Sequence, residues 1–451
     1  MDIKKIAITA CYIVNRFCCH VNINRIMEEK RGTPSMKRMF LVSILILSVV
    51  LSGCVGSTSS NSDSGTGDGK TKISFIHWRG EDKAAFDSLI TEFEKQNKDI
   101  EVDMTIYPSE QYQSTAQTLL RDGSTGDVFT SYPGSHFEII KQAGLFEDLS
   151  NEDFLENYNE RLILAGQADD KQYAVPLQLV FNQPVYNATL FEELGLDPNP
   201  KSWEEFLALC QAIADAGHTP IAFPGADIGP GQFMNSMMMN NAPEEDIFDK
   251  LIAGEAKLTD EWWVKTLTQF KELNDKGYLG NGALGTNHPG AIAMIANGDA
   301  AMLATGSFAV AGIKEINPDI ELGLLAPITV SESEAVWEGI HTTTFMLAVN
   351  SKSSKKEAAK KFVSFLSEKE NAEEYANKTS QHVTVNDVEY TSEELKSAEE
   401  WFEKNTRFQP RYLIPNANVE KAVIASIQAV LNGTDPVKAA EDSQKIVDQN
   451  I

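Results

Sequence analysis

The chain has 451 residues, of which 42% are apolar, and its formal net charge is −26 at pH 7. A surface this acidic repels nucleic acids and anionic lipid headgroups, which argues against DNA binding, RNA binding and membrane docking through basic patches. The part that follows residue 53 is too long for one ordinary domain and suits two.

A short apolar segment near the N-terminus has the order of an export signal. Lys37 and Arg38 precede an apolar run over residues 39–51, and a Ser-Gly pair then precedes Cys54. This order is typical of a signal peptide, and the run is shorter than the roughly 20 residues that a membrane-spanning helix needs. The position of the cysteine resembles a prokaryotic lipobox. We therefore predict a lipoprotein signal peptide over residues 36–53 and lipidation of Cys54; an ordinary signal peptide with an incidental cysteine is the alternative.

The segments on either side of this signal are predicted to lie outside the folded part. Residues 1–35 hold no better cleavage pattern, which predicts an over-extended start with Met36 as the initiator; a functional N-terminal extension is the alternative. Residues 54–70 comprise the cysteine and a Ser/Gly/Thr/Asp-rich stretch that cannot bury a core, so we predict a flexible linker. The folded part is then expected on the extracellular face of the cytoplasmic membrane, or in a periplasm, held by a lipid anchor.

From residue 72 onward, strand patterns alternate with helix patterns. Period-two apolar residues indicate strands, and apolar residues at i, i+3, i+4 and i+7 indicate amphipathic helices. The first five predicted elements form a β-α-β-α-β series, which predicts a mostly parallel sheet with helices on both faces. They are a strand at 72–78, a helix at 82–95, a strand at 100–106, a helix at 109–121 and a strand at 127–130.

The alternation continues through the rest of the chain. One predicted helix, 202–216, opens with Ser202 and has Glu205 three residues later, which is the pattern of a capping box. Further strands are predicted at 173–179, 185–186, 220–223, 300–305, 320–327 and 345–349, and further helices at 260–276, 288–297, 354–366, 392–404, 417–432 and 435–449.

Several short motifs follow one another along the chain. They are Gly126-Asp127-Val128-Phe129, Gly144-Leu145-Phe146-Glu147-Asp148-Leu149, Val185-Tyr186-Asn187 with Leu190-Phe191, and Asn297-Gly298-Asp299-Ala300-Ala301-Met302 with Gly306-Ser307-Phe308. With these motifs in this order, the chain resembles the extracellular solute-binding proteins of ABC importers, and most closely their carbohydrate-binding branch, which includes the maltose-binding proteins. The sequence departs from that family at Ala188, where Lys is usual, and at Phe308, where Trp is common.

The resemblance implies an α/β fold of the two-lobed, type II periplasmic-binding-protein kind, with a hinge and a ligand cleft between the lobes. It implies capture of a small-molecule carbohydrate and its delivery to ABC permease subunits; we also expect a monomer and, from the acidic charge, no nucleic-acid partner. Lobe one would combine 71–178 with 334–380, lobe two would combine 184–328 with 384–451, and the hinge passages would fall near 179–183, 328–333 and 379–382.

Sugars are recognised by aromatic faces and planar polar groups, which we expect at the strand ends that face the cleft. In lobe one, Trp78, Glu81 and Asp82 follow the first strand, and Tyr132 and Ser135 follow the third. Burial of the Trp in the core, with the two acids merely at a helix N-terminus, is the alternative for the first group.

The remaining candidates come from the crossovers and lobe two. Gln178 and Asn182 lie on the first predicted crossover, and Asp227 and Phe308 lie on loops of lobe two. Trp337, Glu338 and His341 lead back into lobe one, and Trp337 is the aromatic residue that we expect most strongly to stack on a sugar.

Other function classes receive less support from the residues. The histidines are scattered and CxxC spacing is missing, so neither a metal site nor a cofactor is predicted. Cys54 and Cys210 are the two cysteines that follow residue 53, and Cys54 is predicted to be acylated, so no disulfide is expected; Cys210 lies on an apolar helical face and is expected to be buried. A secreted glycoside hydrolase needs two opposed carboxylates, which adjacent acids rarely provide. A binding protein for peptides, polyamines or chelates is the more serious alternative.

Overall fold

The computed structural model describes residues 69–451. The predicted signal peptide at 36–53, Cys54, residues 1–35 and all but the end of the 54–70 linker lie outside the described residues. None of the helices within 69–451 is both long enough and apolar enough to cross a membrane.

The strands belong to two sheets and one small hairpin. In chain order they are β1 Thr71–His77, β2 Ile100–Ile106, β3 Val128–Ser131, β4 Gln167–Ala168, β5 Lys171–Gln172, β6 Val175–Phe181, β7 Val185–Asn187, β8 Thr219–Ala222, β9 Ala300–Leu303, β10 Leu322–Leu324, β11 Gly339–Val349, β12 His382–Val383 and β13 Thr406–Phe408.

The helices surround these sheets. In chain order they are α1 Lys83–Gln96, α2 Ser109–Leu120, α3 Ser135–Gln142, α4 Ala188–Leu194, α5 Trp203–Asp215, α6 Gly229–Met238, α7 Ile247–Ile252, α8 Glu261–Asp275, α9 His288–Ala296, α10 Val310–Ile316, α11 Lys356–Leu366, α12 Lys369–Thr379, α13 Glu393–Ala398, α14 Glu400–Glu403, α15 Ala417–Leu431 and α16 Pro436–Val447.

Lobe one is built on the larger sheet, with strand order β12-β6-β11-β3-β1-β2 and β13 beside β11. β1 runs parallel to β2 and β3, whereas β11 runs antiparallel to β3 and β6. Helix α1 packs on this sheet because its apolar residues recur at helical spacing and are all buried: Ala85, Phe86, Leu89, Ile90 and Phe93. Because β1 and β3 are parallel, their carboxyl ends lie at the same edge, where the loops with Trp78 and Tyr132 begin.

Lobe two is built on a four-stranded sheet with the order β10-β7-β9-β8. Its core includes α5, α8 and α15. It also buries four sulfur-containing side chains, those of Cys210, Met234, Met237 and Met238. Cys210 is a buried free thiol, which fits its position on the apolar face of α5.

The sheet of lobe one extends further along the chain than the sequence predicts. Strand β6 runs on to Phe181 and β12 begins at His382, so both enter passages predicted as hinge. The cause is burial: Leu179 and Phe181 lie in an apolar cluster with Trp401. The first passage between the lobes therefore shortens to the residues between β6 and β7.

The assignment of all of 384–451 to lobe two also needs correction. Strand β13 pairs in parallel with the start of β11, and Val385 is buried in the core of lobe one. The chain therefore adds a late strand to the first lobe before α15 and α16 complete the second.

Helix α5 begins as predicted, with one difference at its cap. The Ser202 side chain accepts a hydrogen bond from the Glu205 backbone N–H at 3.2 Å. The Glu205 carboxylate accepts from the Lys201 backbone N–H at 2.7 Å, not from that of Ser202. The serine half of the capping box is present, and the acid satisfies the neighbouring donor.

Candidate ligand-binding cleft

A cleft of about 380 Å³ separates the two lobes and is lined by residues from both. This volume falls within the range of roughly 300–1,000 Å³ that is typical of small-molecule sites. It contains seven of the twelve ligand residues expected from the sequence: Trp78, Glu81, Tyr132, Gln178, Asn182, Asp227 and Phe308.

The floor of the cleft consists of alternate residues on two neighbouring strands. On β6 these residues are Gln178 and Val180, and Asn182 continues the same period-two spacing just past the end of the strand. On β11 they are Thr342 and Thr344. The register pairs Thr344 with Gln178 and Thr342 with Val180. Since alternate residues of a strand share a face, these side chains project toward the same space.

The lobe-one wall is aromatic. The rings of Trp78 and Tyr132 are stacked, with centroids 3.7 Å apart and an angle of 20° between their planes. The Tyr132 hydroxyl lies 2.9 Å from Ser109 Oγ, which fixes the outer end of the stack. Phe345 lies edge-on to Trp78 at 5.1 Å and has a left-handed backbone, with φ of 50°. Such a conformation costs about 1–3 kcal/mol at a non-glycine residue and is concentrated at functional sites.

The lobe-two wall combines one aromatic pair with a carboxylate. Phe308 and His288 have ring centroids 5.7 Å apart. Asp227 accepts hydrogen bonds from the backbone N–H groups of Ile228 at 2.7 Å and His288 at 2.8 Å. Burial lowers the pKa of His288, so its imidazole is favoured in the neutral form.

Two arginines in the cleft are each paired with acids. Arg79 Nε contacts Asp82 Oδ2 at 2.6 Å, and Arg79 Nη2 contacts Glu81 Oε1 at 3.2 Å. Burial opposes the charge of Arg79, but the Asp82 and Glu81 carboxylates raise its pKa above the ordinary value. Arg411 Nε contacts Glu420 Oε1 at 2.7 Å.

Three expected residues form hydrogen bonds within the protein that occupy their polar side-chain groups. Asn182 lines the cleft, yet its amide contacts Gln232 at 2.7 Å and Asn235 at 3.0 Å, which ties β6 to α6. Asp82 is 1% exposed and lies behind Arg79. Ser135 donates to Glu420 Oε2 at 2.5 Å and so joins helix α3 of lobe one to helix α15 of lobe two.

The expected group Trp337, Glu338 and His341 lies outside the cleft, and the expectation is corrected on this point. The Trp337 indole N–H donates to the Pro243 carbonyl at 2.9 Å, and Glu338 accepts from the Asn405 N–H at 2.8 Å. His341 Nδ1 lies 3.0 Å from Thr406 Oγ1. Trp337 and Glu338 precede β11, and for His341 the reason is strand alternation: His341 and Thr343 line a different surface depression from the cleft that Thr342 and Thr344 line.

Sequence reasoning missed several residues of the cleft. Thr342 and Thr344 lie just before the predicted strand 345–349, and a longer period-two pattern would have included them. Arg79, adjacent to Trp78, also lines the cleft and is not among the residues expected from the sequence. Gln232, His288, Gln409, Arg411 and Tyr412 also line the cleft, and no local pattern distinguishes them.

Comparison with known proteins gives one family match. The model of the family described as bacterial extracellular solute-binding protein matches residues 78–373. The chain is 25% identical over 362 residues to the multiple sugar-binding protein of Streptococcus mutans, covering 78% of this chain and 83% of that protein. It is 22% identical over 357 residues to the melibiose/raffinose/stachyose-binding protein MelE of Bacillus subtilis, covering 76% and 80%.

Solved structures share the fold. The solute-binding protein RafE in complex with raffinose superposes with a TM-score of 0.73 at 21% identity, covering 84% of this chain and 99% of that chain. A chitin oligosaccharide binding protein superposes with a TM-score of 0.74 at 20% identity, with the same coverage. The two-lobed α/β fold expected from the sequence is thereby confirmed.

Proposed function

The chain belongs to the bacterial extracellular solute-binding protein family, and on that premise we propose that it captures a neutral oligosaccharide in the interlobe cleft and delivers it to an ABC importer. The relatives that match over three quarters of the chain carry sugar-binding names, which supports this ligand class. The single observation that carries the proposal is the combination of stacked aromatic rings with paired charges in one cleft.

The aromatic wall supports a sugar ligand. Flat rings such as Trp78 and Phe308 offer large apolar faces to the C–H patches of a pyranose, and each lobe contributes one. A ligand held between the two faces contacts both lobes only when the cleft is closed. It therefore shifts the population toward the closed form.

The charge pattern supports a neutral ligand. Arg79 is held by Asp82 and Glu81, and Arg411 is held by Glu420. A ligand carboxylate or ammonium group would need to break one of these pairs to gain its own partner, which costs several kcal/mol when the pair is buried. Hydroxyl groups need only hydrogen bonds. This argues against the peptide, polyamine and chelate alternatives.

Isothermal titration calorimetry and thermal unfolding together test the ligand class. We expect heat of binding and a raised unfolding temperature with at least one of raffinose, stachyose and a chitin oligosaccharide, since a bound ligand stabilises the folded state. A tripeptide and spermidine are the comparison ligands. Binding of either of these two, with no sugar binding, would contradict the proposal.

A glycoside hydrolase activity is not expected. Glu81 and Asp82 both contact the same arginine and therefore do not form two opposed carboxylates across a glycosidic bond. Incubation with the sugar that binds, followed by chromatography, should return it intact. Release of a shorter sugar would favour the enzyme alternative.

We also propose that Cys54 anchors the protein to the membrane through a lipid. The observation behind this is the order of charged, apolar and small residues before Cys54. Cys54→Ser in the full chain should release the protein from the membrane fraction, while the parent chain stays bound. Equal membrane association of both chains would count against lipidation.

A further inference from the structure

A buried polar cluster lies directly behind the floor of the cleft. Arg79 donates to Asp82 through Nε at 2.6 Å and through Nη2 at 3.1 Å. The Tyr375 hydroxyl donates to Asp82 Oδ2 at 2.5 Å. Gln178 Nε2 donates to the Tyr375 oxygen at 2.5 Å and approaches Asp82 Oδ2 at 3.3 Å. Asp82, Tyr375 and Gln178 are each 1% exposed.

This cluster determines which way the Gln178 amide is turned. Burial raises the pKa of Asp82, but the two-pronged contact with Arg79 opposes that rise and favours the carboxylate. Burial also keeps the pKa of Tyr375 well above its ordinary value, so its proton stays on the oxygen and is donated to Asp82. Both neighbours of Gln178 can then only accept from it, so the amide nitrogen must face them.

With its nitrogen facing Asp82 and Tyr375, the Gln178 amide directs its oxygen away from these two residues. Gln178 lines the cleft, and its Oε1 has no hydrogen-bond partner within residues 69–451. The same holds for Thr344 Oγ1, which belongs to the residue paired with Gln178 across β6 and β11. A buried acceptor without a partner costs about 1–3 kcal/mol, and a ligand hydroxyl could satisfy it.

We propose that Asp82 and Tyr375 are positioning residues that hold the Gln178 amide with its oxygen toward the cleft, which makes Gln178 a hydrogen-bond acceptor for a ligand hydroxyl. This rests on the proposed function and adds a residue that selects for an O–H donor at the cleft floor. Asp82, expected from the sequence to touch the ligand, acts here through Gln178. Neither Asp82 nor Tyr375 lines the cleft.

A double-mutant cycle on ligand affinity tests the positioning role. Raffinose is the probe, replaced by stachyose or the chitin oligosaccharide if calorimetry shows that one of these binds more tightly. Gln178→Met keeps the length of the side chain and removes the acceptor, and should weaken binding about tenfold, the value of one lost hydrogen bond. Tyr375→Phe should weaken binding about fivefold in the parent chain and less than twofold beside Gln178→Met, because it acts through the amide.

Tyr158→Phe is the matched control. Tyr158 is also buried in the core of lobe one, and its hydroxyl contacts Ser367 Oγ at 2.7 Å, away from the cleft. It should lower the unfolding temperature and leave affinity unchanged. An equal loss of affinity from Tyr375→Phe with and without Gln178→Met would overturn the positioning role, since a merely structural effect would give that result.

A measurement without ligand separates this inference from the proposed function. In protein with ¹⁵N-labelled glutamine, the side-chain N–H groups of Gln178 should exchange with solvent at least about tenfold more slowly than those of exposed Gln111, and Tyr375→Phe should speed that exchange. Rapid exchange in the parent chain would overturn the inference even if sugars bind. If no sugar binds, the proposed function fails, and slow exchange would still support the orientation.

Discussion

Individual aromatic residues distinguish the cleft from the rest of the surface. Trp78 is half-buried and stacks on Tyr132 at the end of the first strand, whereas the indole N–H of Trp337 donates a hydrogen bond to the Pro243 carbonyl. Both are Trp residues that follow or precede strands of lobe one. Only their partners distinguish a ring that lines the cleft from a ring that packs against the protein.

Replacing Trp78 by Ala should weaken sugar binding by about tenfold or more, because a stacking face and its apolar contact area are lost. Calorimetry with the sugar that binds is the measurement. Trp337→Ala is the control and should leave affinity within twofold, although it removes a packed side chain. A larger effect from Trp337 than from Trp78 would place the ligand elsewhere.

At the scale of elements, helix ends make small and separable contributions to stability. Ser202→Ala should lower the free energy of unfolding by about 1 kcal/mol, because it removes the acceptor for the Glu205 N–H at the start of α5. Chemical denaturation measures this. Ser114→Ala is the control, since that exposed hydroxyl contacts only the Gln111 carbonyl within α2. Equal losses in both variants would show that the cap contributes nothing specific.

The sequence predicts the long amphipathic elements well and the short ones poorly. Strand β2 spans 100–106 as predicted, and α1 differs from its prediction by about one residue at each end. Helix α12 was missed because its buried face contains small and polar residues, among them Ala372, Ala376 and Thr379. The buried face of this helix is therefore little more apolar than its exposed face, and the sequence pattern does not reveal it.

Strand β13 shows why part of the site escapes sequence reasoning. Its central residue is Arg407, which is fully buried and donates to the backbone carbonyls of Met239, Ala242 and Glu244. A charged residue in a three-residue segment predicts an exposed loop. Arg407 is buried in a strand because backbone carbonyls from a distant part of the chain accept its hydrogen bonds. The cleft residues that follow it, Gln409 to Tyr412, were missed together with it.

At the scale of the whole molecule, buried histidines predict acid sensitivity. Burial lowers the pKa of His382 to about 4 and that of His77 to about 3. The unfolded chain binds a proton at each near pH 6.5 and the folded chain does not, so stability is complete above about pH 6.5 and falls below it.

Thermal unfolding between pH 7 and pH 5 should show this loss, at up to about 1.4 kcal/mol per pH unit for each such histidine. His382→Gln should reduce the slope, because the glutamine amide can still donate to the Leu395 carbonyl that His382 contacts at 2.9 Å, without titrating. Tyr390→Phe is the control: it alters the ring beside His382 and should leave the slope unchanged. An unchanged slope in His382→Gln would contradict the assignment.

The bridge from Ser135 to Glu420 joins the two lobes without a ligand. Ser135→Ala should therefore increase the open population of the free protein and weaken sugar binding about threefold, since closure then gains one hydrogen bond fewer. Small-angle scattering should report a larger radius of gyration in the free state. Ser124→Ala, which affects only a contact with Asp122 in one loop, should not. An unchanged radius in Ser135→Ala would contradict the bridge as a closing contact.

Strand β13 has a further consequence for how the chain reaches its final shape. The sheet of the first lobe opens with Thr71 and is completed only by Phe408, and within it β11 pairs with β3, from which the whole stretch from β4 to β10 separates it along the chain. Contacts between such distant segments form slowly. A chain that is made from its N-terminus cannot complete this sheet until Phe408 has been added. The late strand thus delays completion of the first lobe until most of the chain is present, and it makes truncations near the C-terminus damaging to the first lobe as well as the second.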